Sequence, residues 1–132
     1  MKDFNHDSIN HSLFLDQEHD ILRDQIKRFV DEKVKPNGID WERNGFIPRD
    51  IFLEMGKLGF LGITYPSEYG GSAMDSRGSV ILAEELGKST FSGFAIATLV
   101  HTDMASVHLL NAGNQDQKEK YLREIIIGNK IS

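Results

Sequence analysis

Four residues with side chains suited to chemistry lie close together in the second half of the sequence: His101, Asp103, Ser106 and His108. Their types match a hydrolytic triad or a histidine metal site. In a helix with a 1.5 Å rise per residue, the two histidines lie about 10 Å apart along the axis, too far to share one ion unaided. Asp103 is expected on a different face from His101. The pattern therefore favours capping, core or interface contacts over a catalytic or metal role.

Two further acidic patterns carry little chemistry of their own. Asp16 and His19 form a single Asp-x-x-His, whereas a carboxylate-bridged metal bundle needs paired motifs on separate helices. Glu84 and Glu85 are adjacent on a predicted helix, so their side chains diverge and do not form a facing acid and base. We expect isolated surface or partly buried carboxylates at these two positions.

Composition limits the class of protein. The 132 residues suffice for one domain, and the 20 acidic and 15 basic side chains are interleaved, which argues against nucleic-acid binding. The absence of cysteine excludes disulfides and thiolate chemistry. The polar start lacks the apolar core of a signal peptide, and no apolar run approaches the roughly 20 residues of a membrane span. We expect a cytoplasmic protein with no nucleic-acid partner and no membrane span.

Periodic apolar positions and capping residues predict an all-α fold, an antiparallel helical bundle of about five helices. Asn114 with Gln117 three residues later predicts a capping box at the last helix. The stretch Phe60 to Pro66 is expected to be extended. The predicted helices run from Asp16 to Pro36, from Pro48 to Gly59, from Asp75 or Ser76 to Gly87, from about Ser92 to Ala112, and from Asn114 to Gly128. The predicted organisation is a polar segment 1–14, a helical domain 15–128, and residues 129–132 as the truncated start of a missing β-domain.

Five motifs occur in the order found in the N-terminal domain of acyl-CoA dehydrogenases, which the chain resembles from about residue 15 onward. The most specific block is Leu58-Gly59-Phe60-Leu61-Gly62-Ile63 followed by Tyr65-Pro66-Ser67-Glu68-Tyr69-Gly70-Gly71. The others are Leu22-Arg23-Asp24 with Phe29 and Pro36, Trp41-Glu42 through Phe46-Ile47-Pro48, Ala83-Glu84-Glu85-Leu86-Gly87, and His101 with Gly113-Asn114 and Gln117 through Leu122.

The resemblance implies an FAD-dependent oxidation of acyl-CoA thioesters to trans-2-enoyl-CoA in the full-length enzyme. It also implies an electron-transfer flavoprotein or similar acceptor and a homo-oligomer, dimer or tetramer. The family's catalytic glutamate and most of its flavin site lie in domains outside this sequence. We therefore assign no catalytic or cofactor-binding residue here, and expect the fragment alone to be inactive and flavin-free. A flavin oxidase or monooxygenase on the same fold, or a non-enzymatic helical interaction module, remain alternatives.

Candidate substrate-binding residues lie in the fourth predicted helix: Ile96, Ala97, Val100 and Met104. They recur at spacings of one, three and four residues and match family positions that line the acyl-chain cavity. An apolar stripe with this spacing is also typical of plain core packing. The hypothesis is that the bulk of Val100 and Met104 sets the depth available to the acyl chain.

Overall fold

The computed structural model describes residues 15–132, so the predicted polar segment 1–14 lies outside the described residues. Within them the fold is an all-α bundle without strands, as predicted. There are six helices rather than about five, because a short helix lies between the first two that were predicted. We number them α1 (17–34, ending in the π-helical turn Val30–Val34), α2 (Gly38–Asn44), α3 (Arg49–Lys57), α4 (Ser76–Gly87), α5 (Ser92–Ala112) and α6 (Gln115–Ile126).

The core forms where α1 and α4 pack side by side, with α3 and α5 against them. On α1, Leu22, Ile26 and Phe29 recur at intervals of three and four, so one face is apolar and buried. Ile81, Leu82 and Leu86 supply the facing side of α4. Each fully buried side chain of this size contributes about 1.5–3 kcal/mol through removal of apolar surface from water.

The first turns of α1 and α4 are joined by a buried histidine. The ring nitrogens of His19 lie 2.6 Å from Asp16 Oδ1 and 3.3 Å from Asp75 Oδ1. Asp75 caps α4 by accepting a hydrogen bond from the Arg77 backbone N–H at 2.9 Å, and the Arg77 side chain holds its pKa well below the usual range. Asp16 stands at the cap position of α1 as predicted, but its carboxylate contacts the His19 ring instead of the backbone.

The stretch from Phe60 to Pro66 is not extended, contrary to expectation. It forms the short 3-10 turn Phe60–Gly62 and leads into a second one, Ser67–Tyr69. Gly71 lies so close to Tyr65 that an added Cβ would stand 2.0 Å from the Tyr65 carbonyl oxygen. This close backbone approach folds the segment back on itself, so apolar side chains are buried without a strand.

Long-range polar contacts hold one carboxylate in the interior, where an isolated surface or partly buried group was expected. The side chain of Glu85 is only 2% exposed and accepts hydrogen bonds from Arg23 Nη1 and Lys88 Nζ, each at 2.7 Å. Arg23 also pairs with Glu84 at 2.7 Å. Burial of Glu85 follows from these partners, since a buried charge needs compensating donors.

The two last helices match their predicted bounds. Asn114 Oδ1 accepts from the Gln117 backbone N–H, and Gln117 Oε1 accepts from the Asn114 backbone N–H, each at 2.9 Å, which completes the capping box. By length and composition, Ser92–Ala112 is one helix among residues 15–132 that could cross a membrane, contrary to the expected lack of such a run. This is weak support for a span, because core helices of soluble proteins pass the same test. Only 28% of its most apolar window is buried, so most of that window is at least partly exposed.

Candidate functional site

The centre of α5 departs from regular helix geometry. Val100–Ala105 form a π-helical turn between two α-helical stretches. The carbonyl of Thr102 accepts a hydrogen bond from the Tyr65 hydroxyl at 2.8 Å, and burial raises the pKa of Tyr65 to about 12. The phenol therefore stays protonated and serves as a donor. Single π turns inside α-helices occur frequently at functional sites.

The four predicted site residues lie on or beside this turn. Ile96 is 55% exposed and Met104 is 56% exposed, while Val100 between them is half-buried. Ala97 is also half-buried and packs against the core cluster. The structure thus places three of the four at intervals of four residues on the accessible part of α5, with Ala97 turned toward the core. Their role in binding substrate stays a prediction.

An open groove that the sequence reasoning missed adjoins this part of α5. It has a volume of about 310 Å³, and its lining is almost entirely apolar, with Leu86 and Gly87 of α4 facing Ala95, Ile96 and Leu99 of α5. A Cβ added at Gly87 would meet nothing within 4 Å, so the lack of a side chain there leaves open space. In the sequence, the small residues Gly87 and Ala95 on two neighbouring helices were the feature that could have indicated this groove.

A polar contact joins α4 and α5 beside Met104. The Ser79 hydroxyl donates to Asp103 Oδ1 at 2.9 Å, and the Thr102 hydroxyl contacts Asp103 Oδ2. Each carboxylate oxygen of this exposed aspartate therefore has a hydroxyl partner. This agrees with the interface contacts that the sequence favours for Asp103.

The histidines of α5 lie in different environments. His101 is fully buried, whereas His108 is exposed. Among residues 15–132, no group of three or more His, Cys, Asp or Glu side chains is arranged to hold a metal ion. His101, Asp103 and His108 therefore do not form a metal site in this part of the chain.

The sequence of this helical domain matches a known protein family. A family model described as "Acyl-CoA dehydrogenase, N-terminal domain" matches residues 16–129. The chain belongs to the acyl-CoA dehydrogenase family, and the matched part is its helical N-terminal domain.

Individual relatives agree with this assignment. The chain is 31% identical over 114 residues to the mitochondrial long-chain specific acyl-CoA dehydrogenase of Mus musculus, a match that covers 86% of this chain and 26% of the relative. It superposes on an acyl-CoA dehydrogenase of Geobacillus kaustophilus with a TM-score of 0.84 at 32% identity, covering 89% of this chain and 30% of the other. An acyl-CoA dehydrogenase of Bacillus anthracis complexed with FAD gives a TM-score of 0.84 at 31% identity, covering 90% and 20%. The chain thus spans less than a third of each.

Proposed function

We propose that this chain supplies one helical wall of the acyl-CoA cleft in a longer, flavin-dependent acyl-CoA dehydrogenase. The observation that carries the proposal is the accessible apolar strip of Ile96, Val100 and Met104 on α5, in a domain of this family. Exposed large apolar side chains grouped on one helix indicate a surface that another group covers. We propose that this group is the acyl chain together with the rest of the protein.

The reaction proposed for the whole enzyme explains why the wall is apolar. The α-carbon of a thioester is poorly acidic, so its deprotonation needs hydrogen bonds to the thioester oxygen in a site from which water is excluded. When bound, FAD would supply the acceptor for the hydride that leaves the β-carbon. The side chains of Ile96, Val100 and Met104 carry no charge and can exclude water, and both oxygens of the neighbouring Asp103 carboxylate have hydroxyl partners.

The residues of α5 fit an apolar contact with substrate or flavin better than a phosphate site. Residues 92–112 contain neither lysine nor arginine, whereas a pyrophosphate needs cationic side chains or convergent backbone N–H groups. We therefore propose that the FAD phosphates and the catalytic base are held by the rest of the longer protein. On this view residues 1–132 alone are inactive and retain no flavin.

The proposed partners follow from the family. They are an acyl-CoA substrate, an electron-transfer flavoprotein or similar electron acceptor, and further copies of the full-length protein in a dimer or tetramer. The lack of cysteine supports, as a proposal, a cytoplasmic location.

A change in the strip tests the proposal in the longer polypeptide that carries this chain. Val100→Phe adds bulk at the centre of the strip, so we expect kcat/KM to fall for long acyl-CoA substrates by about tenfold or more and to change little for short ones. The measurement is kcat/KM across a series of acyl-chain lengths. An unchanged profile would remove Val100 from the site.

The chain offers a closely matched control pair. Ile96 on α5 and Ile39 on α2 are 55% and 56% exposed, so replacement of either by phenylalanine adds the same bulk at equal exposure. We expect Ile96→Phe to alter the chain-length profile and Ile39→Phe to leave it as in the parent. Equal effects of the two variants would contradict a specific role for α5.

A further inference from the structure

His101 is a fully buried polar side chain that the proposed reaction does not use. It lies in the π turn of α5, and its ring packs edge-on against Phe52 of α3, with 6.1 Å between ring centroids. An aliphatic side chain of similar size would fill this space without the cost of removing an imidazole from water. The hydrogen bonds of His101 must therefore account for its presence.

Each ring nitrogen has a partner from a different part of the chain. Nε2 lies 3.1 Å from the carbonyl oxygen of Ile125 in α6. Nδ1 lies 3.2 Å from the backbone nitrogen of Ser132 and 3.1 Å from the Ser132 hydroxyl oxygen. One side chain thus links α5 to the last turn of α6 and to the segment beyond it.

The chemistry of these partners fixes the tautomer. A carbonyl oxygen only accepts a hydrogen bond, so Nε2 of His101 carries the proton, and the backbone N–H of Ser132 only donates, so Nδ1 is the acceptor. Only the neutral ring with hydrogen on Nε2 satisfies both contacts. Burial lowers the pKa of His101, which favours this neutral form.

The π turn brings a second buried side chain to the same place. The Ser106 hydroxyl oxygen lies 2.6 Å from that of Ser132, and Ser106 is 1% exposed. In a regular helix of 3.6 residues per turn, residues five apart would face directions about 140° apart. Because a π turn pairs residues five apart, His101 and Ser106 contact the same serine. The irregular turn thereby creates the binding place for Ser132.

The segment between α6 and Ser132 is held at further points. Gly128 adopts a positive φ of 80°, so the chain reverses after α6. The Lys130 backbone N–H then donates to the Glu124 carbonyl at 3.0 Å, and Arg49 Nη2 donates to the Asn129 carbonyl at 2.8 Å. These contacts hold the segment in the position that places Ser132 beside His101.

We infer that His101 is a positioning residue, which fixes the chain segment after α6 against the same π turn that carries Val100 and Met104. This His101 latch comprises His101, Ser106 and Ser132. The latch follows from the hydrogen bonds of the described residues. Its consequence rests on the proposed function: the polypeptide that continues into the flavin-bearing part of the enzyme starts at a set distance from the acyl-facing strip.

Two substitutions that introduce a side-chain amide separate the contacts of the two ring nitrogens of His101. His101→Asn places a carbonyl oxygen near the position of Nδ1, so it can accept from the Ser132 N–H but loses Ile125. His101→Gln places an amide nitrogen near the position of Nε2, so it keeps the Ile125 contact and loses Ser132. Both bury an amide, and Asn removes more volume than Gln, so a role in core packing alone predicts the larger loss in His101→Asn, the opposite of what the latch predicts.

The latch is tested by hydrogen exchange at the Ser132 amide in the polypeptide that carries this chain. We expect exchange to become about tenfold faster in His101→Gln and to stay near the parent rate in His101→Asn. Equal protection in both variants, equal loss in both, or loss only in His101→Asn would overturn the inference. Ser106→Ala keeps His101 and serves as a second variant if the others do not fold, and unchanged protection of Ser132 there would also count against the latch.

Flavin binding tests the consequence separately. In the longer polypeptide, we expect His101→Gln to weaken FAD binding by about tenfold or more and to change the visible spectrum of the bound flavin, with rescue in His101→Asn. If amide exchange follows the expected pattern while FAD affinity is equal in all variants, the latch stands and its link to the flavin site fails. If the unmodified parent enzyme did not oxidise any acyl-CoA, the proposed function itself would be refuted.

Discussion

Gly56 lies within α3 at a point where two backbones touch. A Cβ added there would stand 2.3 Å from both the carbonyl carbon and the carbonyl oxygen of Ile127, at the end of α6. Ordinary contacts of a Cβ begin at 3.4 Å. Gly56→Ala therefore requires α3 and the chain after α6 to separate by about 1 Å, since backbone cannot rotate away as a side chain can.

Two opposing effects set the magnitude for Gly56→Ala. Alanine in a helix interior is more stable than glycine by about 0.5–1 kcal/mol. Forcing extra volume into a packed site costs about 1–3 kcal/mol, and the upper part of that range applies because backbone must move. We expect a net loss of about 1–2 kcal/mol in the free energy of unfolding.

Gly87→Ala is the matched control for this loss. Gly87 is the last residue of α4, and a Cβ there would meet nothing within 4 Å. The same substitution should therefore stabilise the protein by about 0.5–1 kcal/mol. Urea unfolding followed by circular dichroism measures both variants, with equal dependence on denaturant as the check that the unfolded states match. If Gly56→Ala stabilised the protein as Gly87→Ala is expected to, the close packing of α3 on α6 would be refuted.

Three further predictions concern buried polar groups. The pKa of His101 is lowered in the folded state, so the stability that the neutral ring confers is full above 6.5, the pKa in the unfolded state, and is lost as pH falls below that value. Urea unfolding from pH 7.5 downward should therefore show a steeper loss of stability in the parent than in His101→Gln, and parallel curves would contradict this. Tyr65→Phe leaves the Thr102 carbonyl without its phenol donor and should cost about 1–3 kcal/mol in thermal unfolding, whereas an unchanged midpoint would show that this hydrogen bond adds nothing. Arg23→Gln removes a cation from the buried Glu85 carboxylate and should cost about 3 kcal/mol by urea unfolding, and a loss well below 1 kcal/mol would mean that the pair is solvated.

Helix ends were predictable because their signals are local. Gly59 and Gly128 follow α3 and α6 with positive φ, and the Asn114 capping box is visible in four consecutive residues. The segment after Gly59 was predicted wrongly as extended. Its conformation depends on the contact of Gly71 with Tyr65 and on packing of Gly62 against Ile126, neither of which leaves a periodic pattern in the sequence.

The candidate site was only partly predictable. Spacing placed Ile96, Val100 and Met104 on one helix, but an all-round apolar helix does not show which side is exposed, and Ala97 proved to face the core. The burial of Glu85 depended on Arg23, which lies 62 residues away in sequence. Side-chain spacing alone also gave no sign of the π turn in α5.

The central claim is that this chain walls the acyl cleft of a flavin-dependent dehydrogenase. The most direct measurement is anaerobic titration of the longer, flavin-loaded polypeptide with acyl-CoA thioesters of stepped chain length, followed by the visible absorbance of the flavin. We predict bleaching by some chain lengths, with the responsive lengths shifted toward shorter chains in Val100→Phe. A flavin that no acyl-CoA bleaches would contradict the account.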